Sequence, residues 1–546
     1  MLHPTVFNTS QICRQLGIMH AVMSPGSRNA PLTISFARHS EIKKWIIPDE
    51  RAAGFIALGI AQERKEPVVL CCTSGTALLN YAPAIAEAYY RQIPLIVLSA
   101  DRPPELIDQR DGQTIRQFEV LKNHVKASYQ LPIIQDEQSA EDYQFTLIEG
   151  IQEALKQPVG PVHLNIPFAE PFYPTPDQHL EFRKVDITES EVSITQSTID
   201  LHLGDCKKIL ILIGQQPSDE KLKEKLMQLA DSIPVIKSPL NNLSVGIDHV
   251  DGFIDGQSEL KPDLLITSGL SVLSKKLKAF IRNAKPARHI HFDPARVKVD
   301  TYSSNPQLIK RNIIECLDQL VEHEVDPEYV AKWKDLSKAT ETTINDLVSE
   351  LPFSEPVATL KVLKAIPANS NLHLSNSMPV RYADLFGVKD GVEVFSNRGT
   401  SGIDGCTSTA LGTAMVSKKL NVLITGDLAF LYDRNAFFHN HQTPNLQVII
   451  MNNQGGGIFR LIPGPSGLPE LEDYFETRHN RTAEYICKES NLNYSRADNT
   501  EELEKALVTF FESSEHAKVL EIYTQPEIND KAYKELRTKI NERINN

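Results

Sequence analysis

The sequence predicts an α/β protein made of doubly wound parallel-sheet domains, and two observations lead there. Apolar runs of strand length alternate with helical patterns along the whole chain, the order expected when parallel strands are joined by crossover helices. The chain's 546 residues are also too many for one hydrophobic core, so two to four domains are expected. Composition fits a globular chain, with 41% hydrophobic and 23% charged residues and no repetitive tract.

In the first block, HAVMSPGSR (His20 to Arg28) reads as a strand running into a turn, and DERAAGFIALGIAQER (Asp49 to Arg64) as a helix with an acidic first turn, which suits the helix dipole. PVVLCCTSGTA (Pro67 to Ala77) is a buried strand entering a Ser/Gly/Thr turn, followed by a helix over about Leu78 to Tyr90 and the strand PLIVLSADRP (Pro94 to Pro103). GPVHLNIP (Gly160 to Pro167) closes the block, and the Pro-rich Phe168 to Asp177 reads as a linker. The middle block repeats strand-then-turn patterns at Lys207 to Gln216, Pro262 to Gly269 and Arg288 to Ala295. No GxGxxG follows its first strand, so a structural role is expected there rather than dinucleotide binding. A polar helical stretch, about Glu322 to Glu355, marks a second boundary. The expected domains are therefore 1–180, 181–350 and 351–546. In the last, three strand-to-loop junctions end in dense polar and glycine residues, and ligands of open α/β sheets bind outside the carboxyl ends of strands.

The net charge of −13 argues against a nucleic-acid partner. No stretch approaches the roughly 20 apolar residues that cross a bilayer, so membrane insertion is not expected. The first residues lack a signal-peptide pattern. Seven scattered cysteines without CxxC spacing point to neither a disulfide framework nor a zinc site. A cytoplasmic protein is expected.

The sharpest chemical signal is Gly426-Asp427 at the end of one apolar strand and Asn452-Asn453 at the end of the next. Asp427 and Asn453 lie 26 residues apart (453 minus 427), the length of one helix and one strand, which sets both junctions side by side on one sheet edge. A carboxylate, an amide oxygen and a nearby backbone carbonyl form an all-oxygen set suited to Mg²⁺, which keeps its other positions for water and phosphate. Flanking glycines let backbone approach a diphosphate. Asp-Gly and Asn-Asn are also ordinary turn residues, and Glu50 in PDER is by itself an ordinary first-turn glutamate. The apolar run AAGFIALGIA behind Glu50 provides a mostly apolar setting for its carboxylate, and the Ser74 to Ala77 turn follows it in the chain.

Together these features resemble the thiamine-diphosphate enzymes, whose motif is GDG followed by NN at the next strand end; here Leu428 stands where many members have glycine. The resemblance implies three doubly wound domains (pyrimidine-binding, middle and diphosphate-binding). It implies a Mg²⁺ or Mn²⁺ held by Asp427, Asn453 and the Gly455 carbonyl, and cofactor contacts from Ser74, Gly75, Thr76, Gly426, Leu428 and Ile458, with Ile403 beneath the cofactor rings. Glu50 would be the catalytic carboxyl, hydrogen-bonded to the aminopyrimidine of a cofactor held by a neighbouring subunit. That makes a homodimer, or a dimer of dimers, with active sites at the subunit interface.

Within that class, SPGSR (Ser24 to Arg28), SADRPPEL (Ser99 to Leu106), SNRGTSGIDG (Ser396 to Gly405) and NNQGGGIF (Asn452 to Phe459) resemble the MenD family. These are the 2-succinyl-5-enolpyruvyl-6-hydroxy-3-cyclohexene-1-carboxylate synthases of menaquinone biosynthesis. The implied reaction decarboxylates 2-oxoglutarate and adds the succinyl carbanion equivalent 1,4 to isochorismate. Such carboxylate-rich substrates need guanidinium forks and cationic points. By resemblance Ser27, Arg28, Arg102, Gln113, Lys275 and Lys276 face the acceptor, Ser377 and Arg381 grip 2-oxoglutarate, and Ile458 and Phe459 line the pocket. Lys276 departs from the family's usual Lys-Arg pair. Another thiamine-diphosphate decarboxylase or carboligase is the alternative; it would have no need of SPGSR and ADRPPEL. A non-catalytic scaffold would lose Glu50 or the metal ligands, and a nicotinamide dehydrogenase would need the missing glycine fingerprint.

Overall fold

Six strands form the first sheet: β1 (His20–Met23), β2 (Lys43–Ile46), β3 (Val68–Cys72), β4 (Leu95–Asp101), β5 (Ser128–Gln130) and β6 (Val162–Pro167). They are all parallel, in the order β2-β1-β3-β4-β6-β5. Every residue of β1, β3, β4 and β6 is buried, which is why they read as continuous apolar runs: both faces are covered. The computed structural model describes residues 3–170, 173–174, 180–187, 200–295 and 297–545, so the Pro-rich linker read at Phe168 to Asp177 lies partly outside the described residues.

The second sheet joins β7 (Ile209–Ile213), β8 (Val235–Ile236), β9 (Leu264–Ser268), β10 (Arg288–Phe292) and β11 (Gln307–Ile309) in the order β11-β10-β9-β7-β8. The third joins β12 (Asn371–Leu374), β13 (Glu393–Phe395), β14 (Asn421–Gly426), β15 (Leu446–Asn452), β16 (Asn493–Ala497) and β17 (Lys518–Tyr523) in the order β13-β12-β14-β15-β17-β16. Both are wholly parallel. Counted from its own first strand, each sheet runs 2-1-3-4, and the first and third share the full order 2-1-3-4-6-5. The winding reverses beside the first strand, the doubly wound arrangement that opens a crevice at the carboxyl ends of the first and third strands.

The chain divides into two compact units: Met1–Ile194 with Asn397–Lys418 and Tyr432–Thr443, and Thr195–Ser396 with Lys419–Leu431 and Pro444–Asn546. In the first unit the helix Glu50–Arg64, capped by Asp49, is buried from Ala52 through Gln62. It packs against the helix Cys406–Val416, itself buried from Cys406 through Met415. Glycines set this crossing: a Cβ on Gly59 would lie 2.1 Å from the Thr409 carbonyl, and one on Gly412 2.1 Å from the Ile56 carbonyl. The helix expected over Leu78 to Tyr90 is two helices, Thr76–Asn80 and Ala82–Arg91, because the chain turns at Tyr81 and restarts with Pro83 in the first helical turn.

In the second unit the middle and last sheets are tied by polar side chains. Asn242 accepts from the Val394 amide at 2.7 Å and donates to its carbonyl at 3.1 Å, and Gln215 donates to the Ser396 carbonyl at 2.8 Å. The crevice of the middle sheet is filled by the chain itself: a Cβ on Gly214 would lie 2.0 Å from the Leu270 carbonyl. Asn241 donates to the Ile236 carbonyl at 2.9 Å there.

Candidate active site

The first unit gathers SPGSR after β1, the Ser/Gly/Thr turn after β3 and the ADRPPEL segment after β4 at one sheet edge. Gly26 sits where a Cβ would lie 2.3 Å from the Thr73 side chain, so the first two turns interlock. Tyr81 Oη donates to the Cys71 carbonyl at 2.9 Å and lies 3.0 Å from Ser24 Oγ, holding the same junction. Gly75 has φ 85° and ψ −141°, a conformation left to glycine, as it leads into the Thr76–Asn80 helix. Its amide donates to Gln117 Oε1 at 2.7 Å. Gln117 in turn donates to the Ala100 carbonyl at 3.1 Å and to Asn165 Oδ1 at 2.9 Å, so one buried amide ties the turn to β4 and β6. Ser74 is buried and its Oγ has no hydrogen-bond partner among the described residues.

Glu50 opens its helix in this unit. Burial raises its carboxyl above the ordinary value of 4.5, and Asp49 adds to the rise against a backbone hydrogen bond. Its charge reaches Cys72 and Tyr81, both fully buried. Thr76, Ser27 and Gln113 are exposed, and Gln113 takes the left-handed φ of 56° with its backbone against Gly75. Arg28 is buried and donates to the Phe168 carbonyl at 2.9 Å, while Arg102 is half-buried with its Nε 3.8 Å from Asp111. Ile403 is half-buried on a loop of the same unit. Buried Glu87 anchors that loop: its carboxylate accepts from the Gly399 amide at 2.8 Å and the Thr400 amide at 2.6 Å.

In the second unit β14 and β15 pair side by side, with Gly426 opposite Met451. The structure thus brings Asp427 and the Asn452–Gly455 turn together. Asp427 is buried; its Oδ1 accepts from the Leu428 amide at 2.6 Å and its Oδ2 from the Gly455 amide at 3.0 Å. His479 Nε2 lies 3.4 Å from Oδ2. Asn453 is also buried, and its Oδ1 has no partner among the described residues. An acceptor left so costs on the order of 1–3 kcal/mol, which a cation would offset. Gly426 faces open space, whereas a Cβ on Gly455 would lie 2.7 Å from the Glu476 carbonyl, so the turn has room for backbone only. Among the described residues no group of three His, Cys, Asp or Glu side chains gathers to hold a metal. The donor set here is instead carboxylate, amide and carbonyl oxygen, which fits Mg²⁺ or Mn²⁺.

Ser377 follows β12, across the crevice of the same sheet, with φ 78° and ψ −127°. Arg381, one turn on, donates back to the Ser377 carbonyl and is half-buried, with Tyr533, Asp251 and Asp384 around it. Lys275 is exposed, and Lys276 pairs with Asp255, both at the start of the helix Lys275–Ala284. Ile458 and Phe459 are half-buried, the former against the core of the third sheet and the latter with its ring 5.7 Å from that of Phe475. Sequence reasoning missed the supports: Gln117, Glu87, Glu355 and the cluster of Arg460 and Arg478 on Glu472, Glu476 and Glu527 that closes the loop beyond Gly455. Arg460 in RLIPGPSG, and Glu476 and Arg478 in ETRH, carry no local signal of their partners.

A doubly wound fold of three parallel sheets, with Gly-Asp and Asn-Asn at adjacent strand ends, defines the class of thiamine pyrophosphate enzymes. In agreement, residues 9–120 match the family described as "Thiamine pyrophosphate enzyme, N-terminal TPP binding domain". The chain is 42% identical to the 2-succinyl-5-enolpyruvyl-6-hydroxy-3-cyclohexene-1-carboxylate synthase of Cytophaga hutchinsonii, covering 98% of each chain. It is 40% identical to the synthase of that name from Flavobacterium psychrophilum, over 96% of this chain and 97% of the other. With that of Bacteroides fragilis it shares 34% identity, over 95% and 94%. The chain belongs to this synthase family, a family of thiamine pyrophosphate-dependent transferases.

Proposed function

We propose that the chain catalyses its family's synthase reaction: 2-oxoglutarate and isochorismate give 2-succinyl-5-enolpyruvyl-6-hydroxy-3-cyclohexene-1-carboxylate and CO₂, a step of menaquinone biosynthesis. The observation that carries this reading is buried Asp427, which accepts from the Gly455 amide, beside the turn that holds buried Asn453, whose Oδ1 has no partner among the described residues, in a chain that matches a named synthase over 98% of its length. Bound thiamine diphosphate would supply the electron sink that lets a 2-oxo acid lose CO₂.

The residues of the chain do the rest. Asp427, Asn453 and the Gly455 carbonyl hold Mg²⁺ or Mn²⁺, and Gly426 and Leu428 admit the diphosphate. Glu50, half-buried and with its carboxyl raised above the ordinary value by burial, hydrogen-bonds the aminopyrimidine ring nitrogen. Ser74, Gly75 and Thr76 contact the cofactor, and Ile403 supports its rings. Ser377 and Arg381 orient 2-oxoglutarate, while Ser27, Arg28, Arg102, Gln113, Lys275 and Lys276 receive the acceptor's carboxylates. Ile458 and Phe459 keep water from the reacting carbon. In this reading 1–180 is the pyrimidine-binding domain, 181–350 the middle domain and 351–546 the diphosphate-binding domain. The working unit is a cytoplasmic homodimer, or a dimer of dimers, in which Glu50 serves the cofactor of the neighbouring subunit. Among the described residues no helix is long and apolar enough to cross a membrane.

The test is product analysis by mass spectrometry with 2-oxoglutarate, thiamine diphosphate and Mg²⁺, with and without isochorismate. The synthase makes the six-membered-ring adduct only when isochorismate is present. Succinic semialdehyde as sole product in both mixtures identifies a simple decarboxylase instead.

A further inference from the structure

Asn453 is useful to a cation only if its amide is turned the right way, and the structure contains what turns it. The side-chain nitrogen donates to Glu355 Oε1 at 2.6 Å. On its other side lies Gly457, where a Cβ would stand 2.6 Å from that same nitrogen. The oxygen of the amide is buried and unpartnered. Glu355 is itself fixed at the start of the helix Glu355–Ala365: its backbone amide donates to Asn529 Oδ1 at 2.9 Å, and Tyr382 Oη donates to its Oε2 at 3.3 Å. A buried carboxyl is unfavourable in such a place unless donors meet its oxygens, and among the described residues no cation pairs with it.

We infer that Glu355 is a positioning residue for the cation centre. By accepting from Asn453 Nδ2 it selects the amide orientation that presents Oδ1 to the ion. An amide is nearly symmetric in shape, so a flipped Asn453 would offer two N–H donors to a cation and lose the ligand. Supports of this kind are worth about 10–100-fold in metal affinity. The inference rests on the proposal that Asp427 and Asn453 hold a divalent ion.

The experiment reads Mn²⁺ binding by the loss of its free electron paramagnetic resonance signal, with saturating thiamine diphosphate and no substrate. Wild type is compared with E355Q, E355L, E355A and Y382F. E355Q retains binding within about threefold, because its amide oxygen can face Asn453 while its nitrogen faces the Tyr382 hydroxyl. E355L binds at least about tenfold more weakly, with the far-ultraviolet circular dichroism spectrum of the wild type. Y382F, which loses only the other contact of Glu355, binds within about threefold of wild type. Should E355L not fold, E355A is read in the same way. Wild-type affinity in the leucine or alanine variant overturns the inference, as does a loss in Y382F equal to that in E355L, since packing alone would then explain it. If wild type binds no Mn²⁺ and D427A behaves identically, the cation centre itself is refuted, and the inference falls with it.

Discussion

Ser377 and Gly75 hold almost the same backbone conformation, φ 78° and ψ −127° against φ 85° and ψ −141°, each where a strand of a six-stranded sheet turns into a helix. For glycine this region is free; for serine it stores on the order of 1–3 kcal/mol of strain. A side chain kept at such a position is expected to have work to do. Ser377→Gly is therefore predicted to raise stability by about 1 kcal/mol and to raise KM for 2-oxoglutarate severalfold. Urea denaturation and steady-state kinetics measure the two effects. Lower stability in the glycine variant would contradict the strain argument.

Gln117 satisfies the Gly75 amide while donating to β4 and β6, all in a buried setting. Gln117→Leu leaves several buried polar groups unpaired, so a loss of about 2–4 kcal/mol in denaturant unfolding is predicted, at 1–3 kcal/mol per unsatisfied group less partial rearrangement. Thiamine diphosphate affinity, followed by calorimetric titration, should fall with it, because the Ser74–Thr76 turn loses its anchor.

The Glu50–Arg64 and Cys406–Val416 helices touch backbone to backbone at Gly59 and Gly412. Gly59→Val has no flexible neighbour to displace, only the Thr409 carbonyl and the Thr413 amide. It is predicted to destabilise by about 1–3 kcal/mol or more, as overpacking does. A thermal melt unchanged from wild type would mean that the helices do not cross at these glycines.

Much of this was legible in the chain, and the boundary has a physical reason. Asp427 and Asn453 stand at the ends of apolar strands, and adjacency of successive parallel strands follows from the length between them, so their meeting was readable. So were SPGSR and the Ser/Gly/Thr turn, which end strands one and three of a sheet. Partners brought together by tertiary packing were not. Asn453 meets Glu355 across 98 residues, and Glu87 meets Thr400 across 313; no local pattern marks either carboxylate. The Cys406–Val416 helix belongs in sequence to the last block but packs in the first unit, and its small and hydroxyl residues give no local sign of that partner. For Arg28, the motif identified the position but not that its guanidinium reaches the Phe168 carbonyl.

The raised carboxyl of Glu50 has a definite consequence for pH dependence. Between the ordinary value of 4.5 and its folded value, the native state binds more protons than the unfolded one, so stability falls as pH rises through that window. Below 4.5 the unfavourable contribution vanishes. Glu50→Gln removes it, so the variant should match wild type in acid and be at least as stable above the window. Chemical denaturation across pH 4 to 8 reports this; a variant less stable than wild type at neutral pH would show that the carboxylate is instead favourably paired.

Chelation offers a separate check on the cation centre. EDTA should abolish turnover, and excess Mg²⁺ or Mn²⁺ should restore it. Adding thiamine diphosphate with either ion should raise the melting temperature, in proportion to the logarithm of ligand over Kd. Asp427→Ala should lose both responses while its apoprotein melts within a few degrees of wild type.

The central claim is tested most directly by following isochorismate absorbance with purified protein, thiamine diphosphate, Mg²⁺ and 2-oxoglutarate, beside Glu50→Gln. The account predicts consumption that requires 2-oxoglutarate and falls at least about a hundredfold in the variant, the scale of a lost general acid–base group. Undiminished isochorismate with a folded, cofactor-loaded protein would contradict the assignment of the reaction, and full activity in Glu50→Gln would contradict the role of Glu50.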